Sequence, residues 1–144
     1  MINNISYNDK EITAAINEHI GKPYGIRIRL KMGGIGSPRF RITDASPALQ
    51  EILARNNSNI RYCNIELRKG GILVGLRAML QTYAWTIPYY KLSIHSIGKQ
   101  YILYSEKDFI KIENDHTDSS NRSFMRKLRS MQTGFLGDSY IDYP

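Results

Sequence analysis

Five cationic side chains surround a glycine-rich segment in the first third of the sequence, and their chemistry suits the binding of an anion. The cations are Arg27, Arg29, Lys31, Arg39 and Arg41, and the glycines between them are Gly33, Gly34 and Gly36. Successive backbone N–H groups in a glycine-rich loop can form a nest, which is a concave site for an anion. Guanidinium groups beside it would add charge-assisted, often bidentate, hydrogen bonds to phosphate. This segment therefore predicts a site for a phosphate or another anionic ligand.

Two other interpretations of these cations stay open from the sequence. Arginine and lysine at alternate positions are typical of the solvated face of an amphipathic strand, where they also prevent edge-to-edge pairing. The same basic face could instead bind single-stranded nucleic acid, with tyrosine rings stacking on the bases. The tyrosines considered for this role are Tyr83, Tyr89, Tyr90, Tyr101 and Tyr104. A steep salt dependence would mark nucleic-acid binding, because each neutralised phosphate releases counterions.

No motif of a common enzyme class occurs in the sequence. The run Gly33-Gly34-Ile35-Gly36 lacks the lysine and the spacing of a nucleotide-binding loop. There is no nucleophile elbow and no His-Glu-x-x-His pair, and the three histidines and one cysteine suggest neither a triad nor a metal site. We therefore expect a non-enzymatic binding or scaffold module with no cofactor and no metal. A small enzyme whose site assembles only in the folded chain is the third hypothesis.

Composition and charge are those of an ordinary globular protein with a basic surface. Of its 144 residues, 42% are hydrophobic and 23% are charged, and the formal net charge is +7. Such a charge attracts nucleic acid, anionic lipid and acidic proteins without selecting one of them. No apolar run approaches the ~20 residues that cross a bilayer. Cys63 is the one cysteine, which excludes an intrachain disulfide, and the sequence shows no secretory signal, so we expect a cytoplasmic protein.

The N-terminal part of the chain carries two helix signals. Asn8 and Glu11 resemble a capping box, and apolar residues at helical spacing follow, so we expect a helix over residues 9–20. A Ser-Pro pair opens a second helix over residues 46–55, where serine suits the N-cap and proline the first helical position. Each helix presents one apolar stripe, which must pack on the rest of the fold.

Between these helices, two short runs alternate strictly between apolar and basic residues. Residues 25–31 and 39–43 each have the two-residue period of a half-buried strand. The glycine-rich residues 32–38 between them can adopt the backbone conformations of a turn. Paired as a hairpin, the two strands would place all five cations on one face.

From residue 60 onward, short alternating strands are separated by turn signals at regular spacing. We expect strands over residues 61–68, 72–78, 80–87, 89–96, 100–104 and 108–113. This order is typical of an antiparallel meander.

A basic helix is expected over residues 119–133. Phe124, Leu128 and Met131 form its apolar side, and Gly134 is expected to end it. The cations on the rest of its surface are Arg122, Arg126, Lys127 and Arg129. They could contact phosphates or an anionic membrane, although packing of the apolar side accounts for the helix without such a contact.

Three runs in the second half of the chain follow the order of a known architecture. They are Trp85-Thr86-Ile87-Pro88-Tyr89-Tyr90-Lys91-Leu92, Tyr101-Ile102-Leu103-Tyr104 and Phe109-Ile110-Lys111-Ile112, and the basic helix follows them. Over about residues 60–133, the chain thereby resembles bacterial pleckstrin-homology-like domains. The resemblance implies a strand meander bent into a partly open barrel and capped by one C-terminal helix. In addition, Lys31, Arg39 and Arg41 look like the pattern of phosphoinositide-binding members of the wider family, where a lysine ends the first strand and two basic residues open the second.

Taken together, these patterns predict an α+β fold in a single domain over residues 1–144. Residues 1–58 would supply an N-terminal helix, a basic β-hairpin and a short helix. Residues 59–136 would supply a bent antiparallel β-meander with its C-terminal helix, and residues 137–144 a tail. Pro88 marks a strand end or an open sheet edge, with which a second copy of the chain could pair. The expected partner is an anionic ligand or a protein.

Overall fold

The structure, a computed structural model, describes residues 1–55, 61–114 and 118–141. These residues form one eight-stranded antiparallel sheet and four α-helices. The strands are β1 (Ile2–Asn4), β2 (Phe40–Ala45), β3 (Tyr62–Leu67), β4 (Gly71–Ala78), β5 (Gln81–Pro88), β6 (Ser93–Ile97), β7 (Gln100–Ser105) and β8 (Asp108–Asn114), and the helices are α1 (Lys10–Ile20), α2 (Ile26–Met32), α3 (Pro47–Leu53) and α4 (Asp118–Ile141). The predicted α+β class, the antiparallel sheet and the C-terminal helix are confirmed.

The sheet is open, and it consists of two meanders joined through one strand. Its strand order is β1-β5-β4-β3-β2-β8-β7-β6, so β1 and β6 lie at its edges. Strand β2 pairs with β8 from Phe40 to Ala45, whereas its ladder with β3 is confined to Phe40 and Arg41 in the described part of the chain. The N-terminal part of the chain therefore contributes β2 to the middle of the sheet and β1 to one of its edges.

One face of the sheet packs against α3 and α4 to form the main core. The helices contribute Leu49 and Leu53 from α3, and Phe124, Met125 and Leu128 from α4. Cys63, Ile65 and Leu67 alternate along β3 and are all buried, as their spacing predicted. Trp85 on β5 is 1% exposed and is one of the largest fully buried side chains of the core. The strands therefore present the apolar faces that their two-residue period indicated.

The opposite face of the sheet is covered in part by α1, whose Ile16 and Ile20 form a second buried cluster with β5. The predicted helix over residues 9–20 is confirmed. Its N-cap is Asp9, whose side chain accepts hydrogen bonds from two backbone N–H groups of the first turn. The sequence predicted Asn8 as the cap, and the observed cap, Asp9, is the next residue.

The second predicted helix is confirmed as α3, and it begins at Pro47 directly after Ser46. The Ser46 hydroxyl does not cap the helix. It donates to Asp108 Oδ1 at 3.0 Å and accepts from the Phe109 backbone N–H at 3.1 Å. These bonds tie the beginning of α3 to β8, so the apolar side of the helix is directed onto the sheet.

The strand expected over residues 25–31 is wrong, because this segment forms α2. Gly25 precedes the helix in an extended conformation, and Gly33 follows it with φ 71°, a left-handed conformation that commonly ends helices. The residues between the glycines include leucine, arginine, lysine and methionine, which are good helix formers. No basic hairpin therefore forms, and residues 39–43 contribute to β2, which pairs with β3 and β8 instead.

The strand expected over residues 89–96 begins only with β6. Tyr89–Lys91 forms a single 3-10 turn after Pro88. The Tyr89 backbone N–H donates to the Gly70 carbonyl at 3.0 Å, and its buried hydroxyl donates to the Arg68 carbonyl at 2.8 Å. These two bonds hold Tyr89 against the turn between β3 and β4 and keep this segment out of a continuous strand.

Helix α4 continues through Gly134, where the sequence predicted its end. Glycine commonly ends a helix by adopting a left-handed conformation. Gly134 does not adopt one, because its φ is not positive. Part of the expected tail over residues 137–144 therefore belongs to α4. At the other end of the chain, β1 was not predicted. Residues 56–59, whose three asparagines and one serine predict a polar turn, lie outside the described residues. No helix in the described part of the chain is both long and apolar enough to cross a membrane.

Candidate functional site

The structure separates the residues that were predicted to bind one anion. Arg27, Arg29 and Lys31 lie on α2, Gly33, Gly34 and Gly36 lie in the segment after it, and Arg39 and Arg41 lie at the beginning of β2. Because Ile26–Met32 is helical, the five cations do not share the face of a hairpin. Each group of residues therefore has its own surroundings and its own chemistry.

The glycine-rich segment has its backbone N–H groups turned to the end of α2. The N–H of Gly33 donates to Leu30 O at 3.2 Å and that of Gly34 donates to Arg29 O at 2.8 Å. The carbonyl groups of both glycines accept from Lys127 Nζ, at 3.4 and 3.1 Å. These amides satisfy the carbonyl end of a helix, which carries partial negative charge and disfavours an anion. The geometry therefore offers no nest at Gly33 and Gly34.

Arg39 and Arg41 point away from the core, as the alternation of residues 39–43 predicted. The Arg41 guanidinium forms an ion pair with Glu113 on β8. The Arg39 guanidinium lies over the Tyr62 ring, 3.9 Å from its centroid. Arg39 also lines a cavity of about 290 Å³ on the sheet face that α1 leaves open, together with Arg77. The charge of Arg41 is thus compensated locally, and Arg39 is held in place by stacking.

A second group of cations faces a groove between α4 and the β6–β7 hairpin, which we call the arginine groove. It has a volume of about 250 Å³ and is lined by Ser96, Tyr101, Arg122, Met125, Arg126 and Arg129. The three arginines lie four and three positions apart, so they follow one side of the helix. Arg129 Nη2 donates to Ser96 Oγ at 2.6 Å, which joins α4 to the edge strand β6.

The arginine groove concentrates positive charge at an exposed surface. Arg126 and Arg129 are both exposed, and among the residues that the structure describes no carboxylate forms an ion pair with either of them. Their spacing was visible on the predicted basic helix. The sequence did not indicate that Ser96 and Tyr101 face these arginines, because the two residues lie on β6 and β7 and not on the helix.

The tyrosines suggested for base stacking do not form one surface. Tyr89 is fully buried and Tyr101 packs against the main core. Tyr90 and Tyr104 are exposed, but the first follows β5 and the second lies on β7, where its ring contacts His95. Stacking of successive bases needs aromatic rings along one track. This arrangement weakens the case for single-stranded nucleic acid.

Burial shifts the pKa of two side chains of types that often act in catalysis, Cys63 and His19. Burial raises the pKa of the Cys63 thiol to about 12, so it is protonated and a poor nucleophile at neutral pH. Burial also lowers the pKa of His19, whose Nδ1 lies 2.9 Å from Thr86 Oγ1. Among the described residues, no group of three or more His, Cys, Asp and Glu side chains is placed to hold a metal ion.

Comparison with known proteins does not assign the chain to a family. No protein-family model matches it, and no curated protein matches it.

Proposed function

We propose that this chain is a non-enzymatic binding module for a small anionic ligand, and that the arginine groove is its binding site. The observation that carries this proposal is the convergence of Arg126 and Arg129, without a carboxylate partner among the described residues, on one cavity. Guanidinium groups bind phosphate and carboxylate through charge-assisted, often bidentate, hydrogen bonds. The Ser96 hydroxyl, already bonded to Arg129, adds a neutral partner beside them.

The rest of the groove suggests the kind of anion. Its lining is predominantly apolar, with Met125 on α4 and the ring of Tyr101 on β7. A ligand that places a phosphate or carboxylate at the arginines and a small apolar group against Met125 would use both parts. Ligand sites usually measure about 300–1,000 Å³, so this small groove fits one anionic group with a short body better than a long polyanion.

The proposal is tested by titrating the protein with phenyl phosphate and inorganic phosphate and following backbone amide shifts. The double variant R126S/R129S should weaken phenyl phosphate binding by about tenfold or more, because hydrogen bonds to charged groups contribute about 1.5–3 kcal/mol each. K99S/K107S is the matched control, since it removes two exposed cations at turns outside the groove and changes the net charge equally. Equal weakening by both variants would show attraction by net charge alone.

Nucleic-acid binding is the competing outcome of the same titration. A short single-stranded oligonucleotide should be compared at about 50 and 200 mM salt, because contacts with many phosphates make affinity fall steeply over this range. Oligonucleotide binding that falls in this way, together with no phenyl phosphate shifts near Ser96 and Arg129, would replace the small-anion proposal.

We also propose a relation to bacterial pleckstrin-homology-like domains. It is supported by the meander β6–β7–β8 followed by α4, whose Phe124 and Leu128 pack into the main core. Lys31 lies on α2 and not at a strand end, so the basic pattern of phosphoinositide-binding members does not extend to it. An experimental structure in which β1 and β6 diverge, with no approach toward a barrel, would count against the relation.

A further inference from the structure

Helix α2 carries three exposed apolar side chains, of which Ile28 is 46% exposed. The two most exposed, Ile26 and Leu30, form a pair that we call the α2 ridge. Ile26 is 77% exposed and Leu30 is 78% exposed. They lie four positions apart, so they are neighbours on one side of the helix. Large exposed side chains are informative when they form a continuous apolar feature and are not scattered singly.

Cations flank the α2 ridge on both sides. With about 100° of rotation per residue, Arg27 and Lys31 form the next row on one side, and Arg29 lies on the other. All three are exposed, and Arg29 Nε donates to the Tyr24 carbonyl at 2.9 Å. The side turned to the protein includes Met32, which packs against the main core. The ridge is thus the outermost line of the helix, with positive charge along both of its sides.

The residues that flank α2 in the sequence carry no negative side chains. Between Glu18 and Asp44 there is no Asp or Glu. The six Lys and Arg residues in this interval are Lys22, Arg27, Arg29, Lys31, Arg39 and Arg41. Arg41 forms an ion pair with Glu113, whereas none of the three cations of α2, Arg27, Arg29 and Lys31, forms an ion pair with a described carboxylate. A surface of opposite charge would therefore complement α2.

The fold gives α2 little support of its own. The helix has seven residues, and none of them is buried. Isolated helices shorter than about 12–15 residues are marginal in water, and most helical stability in proteins comes from packing of an apolar face. Met32 packs against the main core, but the two most exposed apolar side chains are turned outward. A surface that receives the ridge would therefore add packing to α2.

We propose that α2 docks the protein onto an anionic lipid surface. Ile26 and Leu30 enter the boundary between headgroups and acyl chains, and Arg27 and Lys31 contact lipid phosphates. Interfacial helices of this kind place an apolar side in the membrane with cations beside it, and they bind more tightly as anionic lipid increases.

A membrane fits α2 better than an acidic protein does. Seven residues make a helix about 10 Å long, whereas a standard protein interface buries about 800 Å² on each partner. A projecting two-residue ridge would also need a partner with a matching narrow groove. A bilayer accepts such a ridge without a preformed shape, and the attraction between cations and lipid phosphates supplies the orientation.

The proposal is tested by sedimentation of the full chain with vesicles of phosphatidylcholine alone and with about one third phosphatidylserine. Binding should be detected with the anionic vesicles and be near background with the neutral ones. The variant I26S/L30S should lower partitioning onto anionic vesicles by about tenfold or more, because two large side chains no longer leave water. R27S/K31S should lower it by about fivefold for each cation.

The matched control is Y7S/L80S, which removes two other exposed apolar side chains, 74% and 90% exposed. It should partition like the unchanged protein. An unchanged thermal unfolding midpoint in all of these variants establishes that each is folded. No binding to anionic vesicles, or equal losses in I26S/L30S and Y7S/L80S, would overturn the proposal.

Insertion itself is measured with Leu30→Trp. Trp85 is 1% exposed and gives a constant background, so a blue shift of the added emission on anionic vesicles reports entry of position 30 into the bilayer. Leu80→Trp should show no shift. A Leu30→Trp protein that sediments with vesicles without a blue shift would mean attraction by charge alone and would overturn the docking role of the ridge. Phosphate titration of I26S/L30S should be unchanged, which separates this proposal from the arginine groove.

Discussion

Arg68 is a buried cation that joins α1 to the sheet. Its Nε lies 2.6 Å from Glu66 Oε2, and its Nη1 donates to the Gly21 carbonyl at the end of α1 at 2.8 Å. A cation at the carbonyl end of a helix is favoured by the helix dipole. Arg68 is therefore a structural residue with its partners in place. Arg126 and Arg129 differ from it because they are exposed and have no carboxylate partner among the described residues.

Gly71, at the beginning of β4, is packed so closely against its neighbours that no side chain would fit at this position. A Cβ atom there would lie 2.8 Å from Ile20 Cγ2 and from Pro88 Cα, and it would also clash with the Ile87 carbonyl oxygen. Two of these contacts are with backbone, which cannot rotate away. We expect Gly71→Ala to lower the free energy of unfolding by about 3 kcal/mol, as overpacking of a dense core does. Urea unfolding followed by Trp85 fluorescence measures this change.

Gly134→Ala is the matched control, with the opposite expected sign. A Cβ atom at Gly134 would meet no atom within 4 Å. Because alanine is favoured over glycine inside a helix by about 1 kcal/mol, the variant should be slightly more stable. Equal destabilisation by both substitutions would contradict the assigned contacts of Gly71 and the continuation of α4 through residue 134.

At the scale of elements, α1 depends on its N-cap, which is Asp9 and not the Asn8 that the sequence predicted. The Asp9 side chain accepts from the backbone N–H groups of Glu11 and Ile12, at 2.9 and 3.3 Å. We expect Asp9→Ala to lower the free energy of unfolding by about 1 kcal/mol, the usual contribution of an N-cap. Asn8→Ala is the control and should be nearly neutral, as measured by the same urea unfolding. A larger loss of stability for Asn8→Ala than for Asp9→Ala would instead support Asn8 as the cap, as the sequence predicted.

Apart from β1, the strands were predictable from the sequence and α2 was not, for a physical reason. In β3, alternation places Cys63, Ile65 and Leu67 against a core, so the two-residue period reports burial on one face. In residues 25–31 the same period occurs where nothing is buried, and it then carries no information about the backbone. The glycines at both ends and the pairing of β2 with its neighbours decide the conformation, and those neighbours are distant in sequence.

The candidate site was predictable to a similar extent. The chemistry of the cations could be inferred from residue types, and the spacing of Arg122, Arg126 and Arg129 was visible on the predicted helix. Their common cavity depends on Ser96 and Tyr101 of the β6–β7 hairpin. Likewise, the partner of Arg41 is Glu113 on β8. Contacts between residues so far apart follow from the topology of the sheet, which local patterns do not specify.

At the scale of the whole molecule, β2 determines whether the sheet unfolds as one unit. The meander β3–β4–β5 lies on one side of it and β6–β7–β8 on the other. Among the described residues the β2–β3 ladder comprises only two residue pairs, so we expect side-chain packing to supply much of the connection. Phe40 on β2 is fully buried, and its ring lies 6.4 Å from that of Tyr101 on β7 and 6.5 Å from that of Phe124 on α4.

We expect Phe40→Ala to lower the free energy of unfolding by about 3–5 kcal/mol, because it removes a buried aromatic ring from the strand that pairs with both meanders. If the sheet is one cooperative unit, amide hydrogen exchange should accelerate to the same extent in β4 and in β7, since both would exchange through the same global unfolding. Val74→Ala is the control, because this buried side chain lies on β4 alone. It should accelerate exchange equally in the two meanders by a smaller factor. Faster exchange confined to β6–β7–β8 in the Phe40 variant would instead mean that this meander opens by itself, with the arginine groove at its boundary.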